Sequence, residues 1–316
     1  MNSSSFVTVE RWRALTENQN DARCSPKSLL DLYQMRIDSR LLLQQLMDGF
    51  SAEENPSEKE AILLWVIENK LNLSRTAVTA GNEVSIDEPL FNSILHRLNQ
   101  HEPVQYILGE AEFYGRKFTV SPAVLIPRPE TELLVMTVIE YFNLTQVSPK
   151  LLDVGTGSGC ISITLALELP KANVIATDIR SDSLAVAKQN STLLDAPVQF
   201  HEHDILSDIL SFGLLDAVVS NPPYISQSEK STMPRNVSEY EPSHALFVPD
   251  SNPLLFYEAL AEKAKHALNS RGLLITEINE RFGKETAELF RSFGYSEVQI
   301  IKDLTGKDRY VRGVLL

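Results

Sequence analysis

The stretch Leu151-Leu152-Asp153-Val154-Gly155-Thr156-Gly157-Ser158-Gly159 decides the fold of this 316-residue chain. Its apolar start predicts a strand, and three glycines at alternate positions predict a tight turn that leads into a helix. Glycine allows positive φ angles and lets a ligand approach the backbone closely at the N-terminus of that helix. A strand–helix turn that binds nothing is the alternative interpretation.

The position of an acidic residue favours the ligand-binding interpretation of the glycine loop. Asp178 ends the next predicted strand, where a carboxylate can hold ribose hydroxyls. The glycine spacing is Gly-x-Gly-x-Gly, whereas dinucleotide-binding loops have Gly-x-Gly-x-x-Gly, and this favours S-adenosylmethionine. Asp153 is expected to brace the loop or to meet the methionine ammonium group. Asp204, after the third strand, is expected to meet the adenine amino group.

After residue 150 the chain alternates predicted strands and helices, which is typical of a parallel sheet with helices on both faces. Strands are predicted at residues 150–154, 173–178, 198–203, 214–220 and 272–277, and helices at 158–169, 181–191, 252–269 and 283–293. Residues 298–301 and 310–315 are apolar segments separated by a turn, so they are expected to pair antiparallel. Such a sheet is typical of S-adenosylmethionine-dependent, Rossmann-like α/β methyltransferases.

A second motif, Asn221-Pro222-Pro223-Tyr224, follows the fourth of these strands. The prolines fix φ and remove two N–H donors, so the loop is rigid and offers carbonyl oxygens. With the Asn221 side chain and the Tyr224 ring it can accept two hydrogen bonds from a planar –NH2 group and cover its face. Ligands of such sheets bind beyond the carboxyl ends of the strands, so this loop should face the methyl group of the cofactor. The predicted chemistry is therefore methylation of an amide or aryl amine. A rigid turn after a buried strand is the alternative.

The first third of the chain carries helical patterns. They lie at residues 27–49, 61–71 and 89–98, with a predicted capping box at residues 57–60 and a predicted cap at Asp87. Because no catalytic constellation occurs there, residues 1–102 are expected to form a packing or partner-docking module.

Residues 103–124 have short apolar runs, among them 104–108, broken by Gly109 and Gly115, and are predicted to form a β-hairpin linker. Residues 125–316 are expected to form the methyltransferase domain, with a helix from Pro129 to about Phe142 at its start.

Composition and charge narrow the class of protein. The net charge is −13 and no basic stripe is visible, which argues against a nucleic-acid partner without excluding a local basic cleft. The polar N-terminus and the lack of long apolar runs predict a cytoplasmic protein with no membrane segment. Cys24 and Cys160 are too few for a disulfide framework. The six histidines show no ligand spacing, His201 and His203 included, so no metal is expected.

Further motifs carry a specific resemblance. They are Glu102-Pro103-Val104-Gln105-Tyr106-Ile107-Leu108-Gly109, Phe113, Ile126-Pro127-Arg128-Pro129-Glu130-Thr131-Glu132 and Tyr240-Glu241-Pro242. Together with Asn-Pro-Pro-Tyr they resemble the peptide chain release factor N5-glutamine methyltransferases, the PrmC/HemK family, over roughly residues 57–316. Asn-Pro-Pro-Tyr alone is shared with amino-methyltransferases that act on adenine or guanine in DNA or RNA, and such an enzyme is the alternative.

The resemblance implies S-adenosylmethionine as the cofactor and class 1 peptide chain release factors as the protein substrate, methylated at the glutamine of a Gly-Gly-Gln motif. It also implies that residues 1–102 form a helical substrate-docking domain, with residues 1–56 as an extension. We expect a monomer without direct contact to nucleic acid. The implied catalytic residues are Asn221, Pro222 and Tyr224. The expected cofactor-binding residues are Asp153, Gly155, Thr156, Gly157, Ser158, Gly159, Asp178, Asp204, Ile205 and Asn221. The expected substrate-binding residues are Phe113, Arg128, Asn221, Pro222, Pro223 and Tyr224.

The chain departs from the family pattern at three places. Residues 1–56 extend beyond the usual helical start. Ile205 stands where many members have an aromatic residue near adenine, and Asn279 stands where glycine is usual. The last departure puts the local backbone geometry in doubt.

Overall fold

The computed structural model describes residues 34–52, 55–143 and 148–316. The chain divides into two compact units, Met1–Leu108 and Gly109–Leu316. The predictions made for residues 1–33 lie outside the described residues. Among the described residues, no helix is long and apolar enough to cross a membrane.

The first unit is mostly helical and contains one small sheet. Its elements are β1 (Gln34–Asp38), α1 (Ser39–Gly49), α2 (Pro56–Leu71), α3 (Arg75–Ala80), β2 (Glu83–Asp87), α4 (Glu88–Asn99) and α5 (Val104–Leu108). β1 and β2 pair antiparallel. Apolar residues of the helices, such as Leu42, Leu63 and Phe91, form the core. Asp87 caps α4 as predicted, since its carboxylate accepts the Leu90 N–H.

Three predictions for this part of the chain were wrong. Residues 34–38 are a strand and not part of a helix, because Asp38 caps α1 and the helix begins at Ser39. The cap of α2 is Asn55, whose side chain accepts the Ser57 N–H, so residues 57–60 lie inside the helix. Val104–Leu108 is a helix and not a hairpin strand. A five-residue apolar run is ambiguous, and Pro103 before it suits the start of a helix.

The second unit begins with the hairpin of β3 (Glu110–Phe113) and β4 (Arg116–Thr119). The following elements build the main sheet and its helices: α6 (Thr131–Asn143), β5 (Lys150–Val154), α7 (Cys160–Glu168), β6 (Asn173–Asp178), α8 (Ser181–Leu193), β7 (Val198–Glu202), β8 (Leu215–Ser220), β9 (Ile225–Ser226), α9 (Arg235–Ser238), α10 (Ser243–Leu246), β10 (Phe247–Val248), α11 (Leu255–Ala267), β11 (Leu268–Glu277), α12 (Gly283–Ser292), β12 (Tyr295–Lys302) and β13 (Asp308–Leu315). Short 3-10 helices occupy Gln227–Thr232 and Glu280–Phe282.

The main sheet has seven strands in the order β12-β13-β11-β8-β5-β6-β7. The strands from β11 to β7 are parallel, and β13 pairs antiparallel with both β11 and β12. Alternate residues of one strand serve cores on opposite faces, as Leu151 and Leu152 do. The predicted methyltransferase fold with its C-terminal antiparallel hairpin is therefore confirmed.

Several predicted boundaries differ from the structure by a few residues. The helix expected from residue 158 begins at Cys160, because Gly159 has φ +82° and ends the turn. The helix expected from Pro129 begins at Thr131, and the strand expected at 272–277 extends back to Leu268. Such shifts arise because caps, rather than apolar periodicity, fix where an element ends.

Candidate active site

The glycine loop between β5 and α7 is held against the neighbouring strand. The N–H groups of Gly155 and Thr156 both donate to the Thr177 carbonyl, at 2.9 and 2.8 Å. Gly155, Gly157 and Gly159 all have positive φ. A Cβ at Gly159 would lie 2.8 Å from the Ile163 side chain, whereas a Cβ at Gly155 or Gly157 would meet no protein atom within 4 Å. The first two glycines therefore leave open space beside the backbone, which fits a bound ligand.

That space belongs to a cavity of about 270 Å³ at the carboxyl ends of the parallel strands. The cavity brings together most of the predicted site: Arg128, Gly155, Thr156, Gly157, Ser158, Asp178, Asp204, Ile205, Asn221, Pro222 and Pro223. Asp153, Gly159, Phe113 and Tyr224 do not line it. Two motifs that are far apart in sequence thus share one concave site.

Asp178 connects the cavity to the glycine loop. Its Oδ2 accepts the Gly157 N–H at 2.9 Å and its Oδ1 accepts the Arg180 N–H at 3.0 Å. Burial raises the pKa of this carboxyl. Because a carboxylate oxygen can accept more than one hydrogen bond, both oxygens retain capacity for the hydroxyls of a ligand.

Asp153 braces the loop from below, which is the first of the two roles expected for it. Its Oδ2 accepts the Thr156 hydroxyl at 2.6 Å and the Ser162 N–H at 3.2 Å. Its Oδ1 is buried, with no hydrogen-bond partner among the described residues. Burial raises the pKa of Asp153 to about 6. These hydrogen bonds therefore hold the turn, and Asp153 does not line the cavity.

The loop after β7 supplies a mostly apolar wall. The Asp204 carboxylate is engaged locally, since it accepts the Leu206 N–H and the Ser207 hydroxyl, both at 2.9 Å. Ile205 is buried in the hydrophobic core next to the cavity. Leu206 and Ile179 are exposed apolar side chains that also line it. The wall near Ile205 is therefore aliphatic, and these two neighbours were not predicted.

The Asn-Pro-Pro-Tyr loop is fixed at both ends by side chains from other elements. Asn221 Nδ2 donates to Thr131 Oγ1 at 3.2 Å, and the Tyr224 hydroxyl donates to Glu277 Oε1 at 3.1 Å. Asn221 Oδ1 has no hydrogen-bond partner in the part of the chain that the structure describes. An acceptor oxygen therefore remains available on a residue that lines the cavity.

The backbone at Asn279 is ordinary, which answers the doubt raised by this departure. Its φ of −66° and ψ of 129° are available to any residue. Its Nδ2 donates to the Tyr224 carbonyl at 3.2 Å, and its Oδ1 accepts the Arg281 N–H. Asparagine thus adds a hydrogen bond behind the loop, and no glycine is needed there.

Arg128 makes a partly buried ion pair with Glu241 at the edge of the cavity. Its guanidinium donates to Glu241 Oε1 at 2.5 Å, and Glu241 Oε2 accepts the Ile126 N–H at 3.2 Å. The Glu241 side chain is 1% exposed and that of Arg128 is 31% exposed. Burial raises the pKa of Glu241. The pair joins two of the sequence motifs and holds the segment before α6 in place.

Phe113 is not where the sequence led us to expect it. Its ring packs edge-on against Phe118, with centroids 6.1 Å apart, inside the hydrophobic core. The alternation of β3 buries Ala111 and Phe113 on the same face, so the ring points into the core and does not line the cavity.

Sequence reasoning missed Thr131 and Glu277, which hold the Asn-Pro-Pro-Tyr loop, and His244, which lines the cavity. Thr131 lay within a quoted motif, and Glu277 ended a predicted strand. A polar residue at the carboxyl end of a parallel strand is the signal that could have found Glu277.

No cluster of three or more metal-binding side chains occurs among the described residues. The rings of His201 and His203 instead pack against Phe212, with centroids 5.3 and 5.7 Å away.

Comparison with known proteins agrees with this geometry. Residues 130–237 match the model of the methyltransferase small domain. The chain is 41% identical over 258 residues to the release factor glutamine methyltransferase of Bacteroides thetaiotaomicron, covering 80% of this chain and 92% of that protein. It is 38% identical over 273 residues to the protein of the same name from Flavobacterium psychrophilum, with 85% and 96% coverage. The corresponding Bacillus subtilis protein is 36% identical over 275 residues, with 83% and 93% coverage. The chain therefore belongs to the family of release factor glutamine methyltransferases.

Proposed function

We propose that this protein transfers the methyl group of S-adenosylmethionine to the side-chain amide nitrogen, N5, of the glutamine in the Gly-Gly-Gln motif of class 1 peptide chain release factors. The observation that carries this proposal is the Asn221 amide at the cavity. Its nitrogen is bonded to Thr131, so its oxygen is left to accept a hydrogen bond from a substrate –NH2 group.

The cavity fits the methyl donor. S-adenosylmethionine supplies, when bound, an electrophilic methyl group on a positively charged sulfur. Asp178 would accept hydrogen bonds from the ribose hydroxyls, and the open space at Gly155 and Gly157 admits a ligand against the backbone. The apolar side chains of Ile179 and Leu206 would cover the adenine ring.

The Asn-Pro-Pro-Tyr loop would hold the acceptor amide. A neutral amide nitrogen is a weak nucleophile because its lone pair is delocalised. Acceptance of its two N–H bonds by Asn221 Oδ1 and the Pro222 carbonyl would increase electron density on the nitrogen and direct its lone pair. Such positioning can lower a barrier by roughly 7–11 kcal/mol. As the C–N bond forms, the bond between the donor sulfur and the methyl group would break, and the amide proton would pass to water, so no general base is needed beforehand.

We further propose that the protein acts as a monomer in the cytoplasm, and that residues 1–102 help to dock the release factor. The net charge of −13 supports a protein substrate over a nucleic acid.

The test is methyl transfer from radiolabelled S-adenosylmethionine. The substrates are a class 1 release factor, the same factor with the motif glutamine changed to alanine, duplex DNA and ribosomal RNA. We expect labelling of the first substrate only. Labelling of the alanine variant or of either nucleic acid would contradict the proposal.

A further inference from the structure

Glu277, at the carboxyl end of β11, lies between the two ends of the Asn-Pro-Pro-Tyr loop. It is 1% exposed. Its Oε2 accepts the Thr131 hydroxyl at 2.7 Å, and its Oε1 accepts the Tyr224 hydroxyl at 3.1 Å. Thr131 in turn contacts Asn221. One buried carboxylate is therefore connected, directly or through one hydroxyl, to both ends of the loop.

The direction of these hydrogen bonds decides how the Asn221 amide is oriented. A threonine hydroxyl has a single hydrogen, and an ionised carboxylate can only accept. The Thr131 hydrogen is therefore committed to Glu277, and towards Asn221 the same oxygen can only accept. The –NH2 end of the amide must face Thr131 at 3.2 Å, which leaves Oδ1 as the free end.

The reversed amide is disfavoured for the same reason. If Oδ1 faced Thr131, one hydroxyl hydrogen would have to serve two acceptor groups, and one of them would lose a hydrogen bond at a buried position. Such a loss costs on the order of 1–3 kcal/mol. A substrate –NH2 group needs a hydrogen-bond acceptor, whereas the reversed Asn221 amide would turn its own –NH2 donor towards the substrate.

We propose that Glu277 is a positioning residue for methyl transfer, acting through Thr131 to keep the acceptor end of Asn221 towards the substrate amide. This inference rests on the proposed function, because it concerns the orientation of the substrate amide. Tyr224, bonded to the other carboxylate oxygen, fixes the far end of the loop to the same group.

The charged surroundings of Glu277 come from several elements. Burial raises the pKa of Glu277 most, and the hydrogen bonds from Thr131 and Tyr224 lower it. Arg309 on β13 lowers this pKa further, and Glu130, before α6, raises it. The negative charge of Glu277 in turn raises the pKa of Tyr224, Tyr257, Tyr310 and Cys160. The Arg309 guanidinium is committed to the Asp303 carboxylate, so the hydroxyls of Thr131 and Tyr224 remain the direct partners of Glu277 among the described residues.

The main experiment removes the hydroxyl of Thr131 while keeping its shape. T131V, T131S and E277Q are compared with the wild-type protein for kcat and KM towards a release factor. Affinity for S-adenosylmethionine is measured by calorimetry and unfolding by circular dichroism. The matched control is T286V, because Thr286 is fully buried and its hydroxyl donates to the Phe282 carbonyl, outside the cavity.

We expect kcat to fall by at least about tenfold in T131V, as for loss of a group that preorganises a site. E277Q should keep more activity than T131V, because the glutamine oxygen can still accept the Thr131 hydroxyl. T131S should recover most of the activity lost in T131V, since serine restores the hydroxyl. S-adenosylmethionine affinity should change less than about twofold in all variants. T286V should keep the wild-type kcat.

The pH dependence of kcat provides a second test, because the loss of a merely structural residue would not remove an acid limb from the profile. Protonated Glu277 could donate to Thr131 and remove the constraint on Asn221, so wild-type kcat should fall as pH drops through the raised pKa of Glu277. E277Q should lack this acid limb.

Wild-type kcat in T131V would overturn the inference, and so would a loss of kcat in T131V that T286V shows equally. Loss of cofactor affinity in parallel with kcat would also overturn it, because the role would then be structural. A wild-type protein that binds S-adenosylmethionine but does not methylate the factor would instead contradict the proposed function.

Discussion

Gly157 and Asp178 are joined by a hydrogen bond of 2.9 Å from the glycine N–H to the carboxylate Oδ2. The same carboxylate lines the cavity and accepts the Arg180 N–H. The residue expected to hold the ribose therefore also holds the turn against which the ligand would lie. Cofactor affinity and loop geometry depend on one side chain.

Replacement of Asp178 should weaken cofactor binding. D178A removes an acceptor for the ligand and leaves the Gly157 N–H without its partner, and hydrogen bonds to charged groups contribute about 1.5–3 kcal/mol. We expect the Kd for S-adenosylmethionine to rise by roughly 10- to 100-fold in calorimetry. D182N is the control, because Asp182 is exposed and pairs with Arg180. Equal affinity in D178A and wild type would exclude this role.

Asp153 should make stability depend on pH. Its pKa is raised from an ordinary 3.8 to about 6 by burial, so the folded protein binds this proton more tightly than the unfolded chain. The contribution of this carboxyl to the free energy of unfolding is therefore fully present below about pH 4. It falls by up to roughly 3 kcal/mol as the pH rises through about 6.

The variant D153N isolates this effect, since asparagine can still accept from Thr156 and Ser162. Urea unfolding of both proteins at pH 4 to 7 should show the wild type losing stability relative to D153N as pH rises. Groups common to both proteins cancel in the difference. A difference that does not vary with pH, or that varies in the opposite direction, would show that Asp153 is not a buried carboxyl of raised pKa.

The Arg128–Glu241 pair should show strong coupling. R128M leaves the buried Glu241 carboxylate with the Ile126 N–H as its remaining described partner. We expect a loss of about 1–3 kcal/mol, below the 3–5 kcal/mol of a fully buried pair because Arg128 is partly exposed. In R128M/E241Q the second change should recover part of this loss, because no buried charge remains.

Urea unfolding of the wild type, both single variants and the double variant gives the coupling energy. We expect the double variant to be more stable than the sum of the single changes predicts. Simple additivity would mean that the ion pair does not stabilise the segment before α6.

Much of the fold could be predicted because its signals are local. The glycine turn requires positive φ at Gly155, Gly157 and Gly159, and the alternation of strands and helices follows from apolar periodicity. The short elements could not be predicted as well. Val104–Leu108 is too short for periodicity to distinguish a helix from a strand. β1 could not be separated from α1, because the same apolar pattern runs through both.

The sequence predicts those residues of the site that lie within one loop. It predicts less well those that the fold brings together from distant segments. Thr131 and Glu277 are 146 positions apart, and the order of strands in the sheet places β11 beside β8, which leads to Asn221. No single motif contains that relationship. Phe113 was assigned to the substrate through resemblance, whereas the pleat of β3 turns its ring into the core.

The central claim is methyl transfer to a glutamine side chain through Asn221. The most direct measurement is tandem mass spectrometry of a release factor incubated with S-adenosylmethionine and either the wild-type protein or N221A. The wild type should add the mass of one methyl group, located on the glutamine of the Gly-Gly-Gln motif. N221A should lose at least about a hundredfold in rate while still binding the cofactor, because its acceptor oxygen is gone. A methyl group on another residue, or an unchanged rate with N221A, would contradict the account.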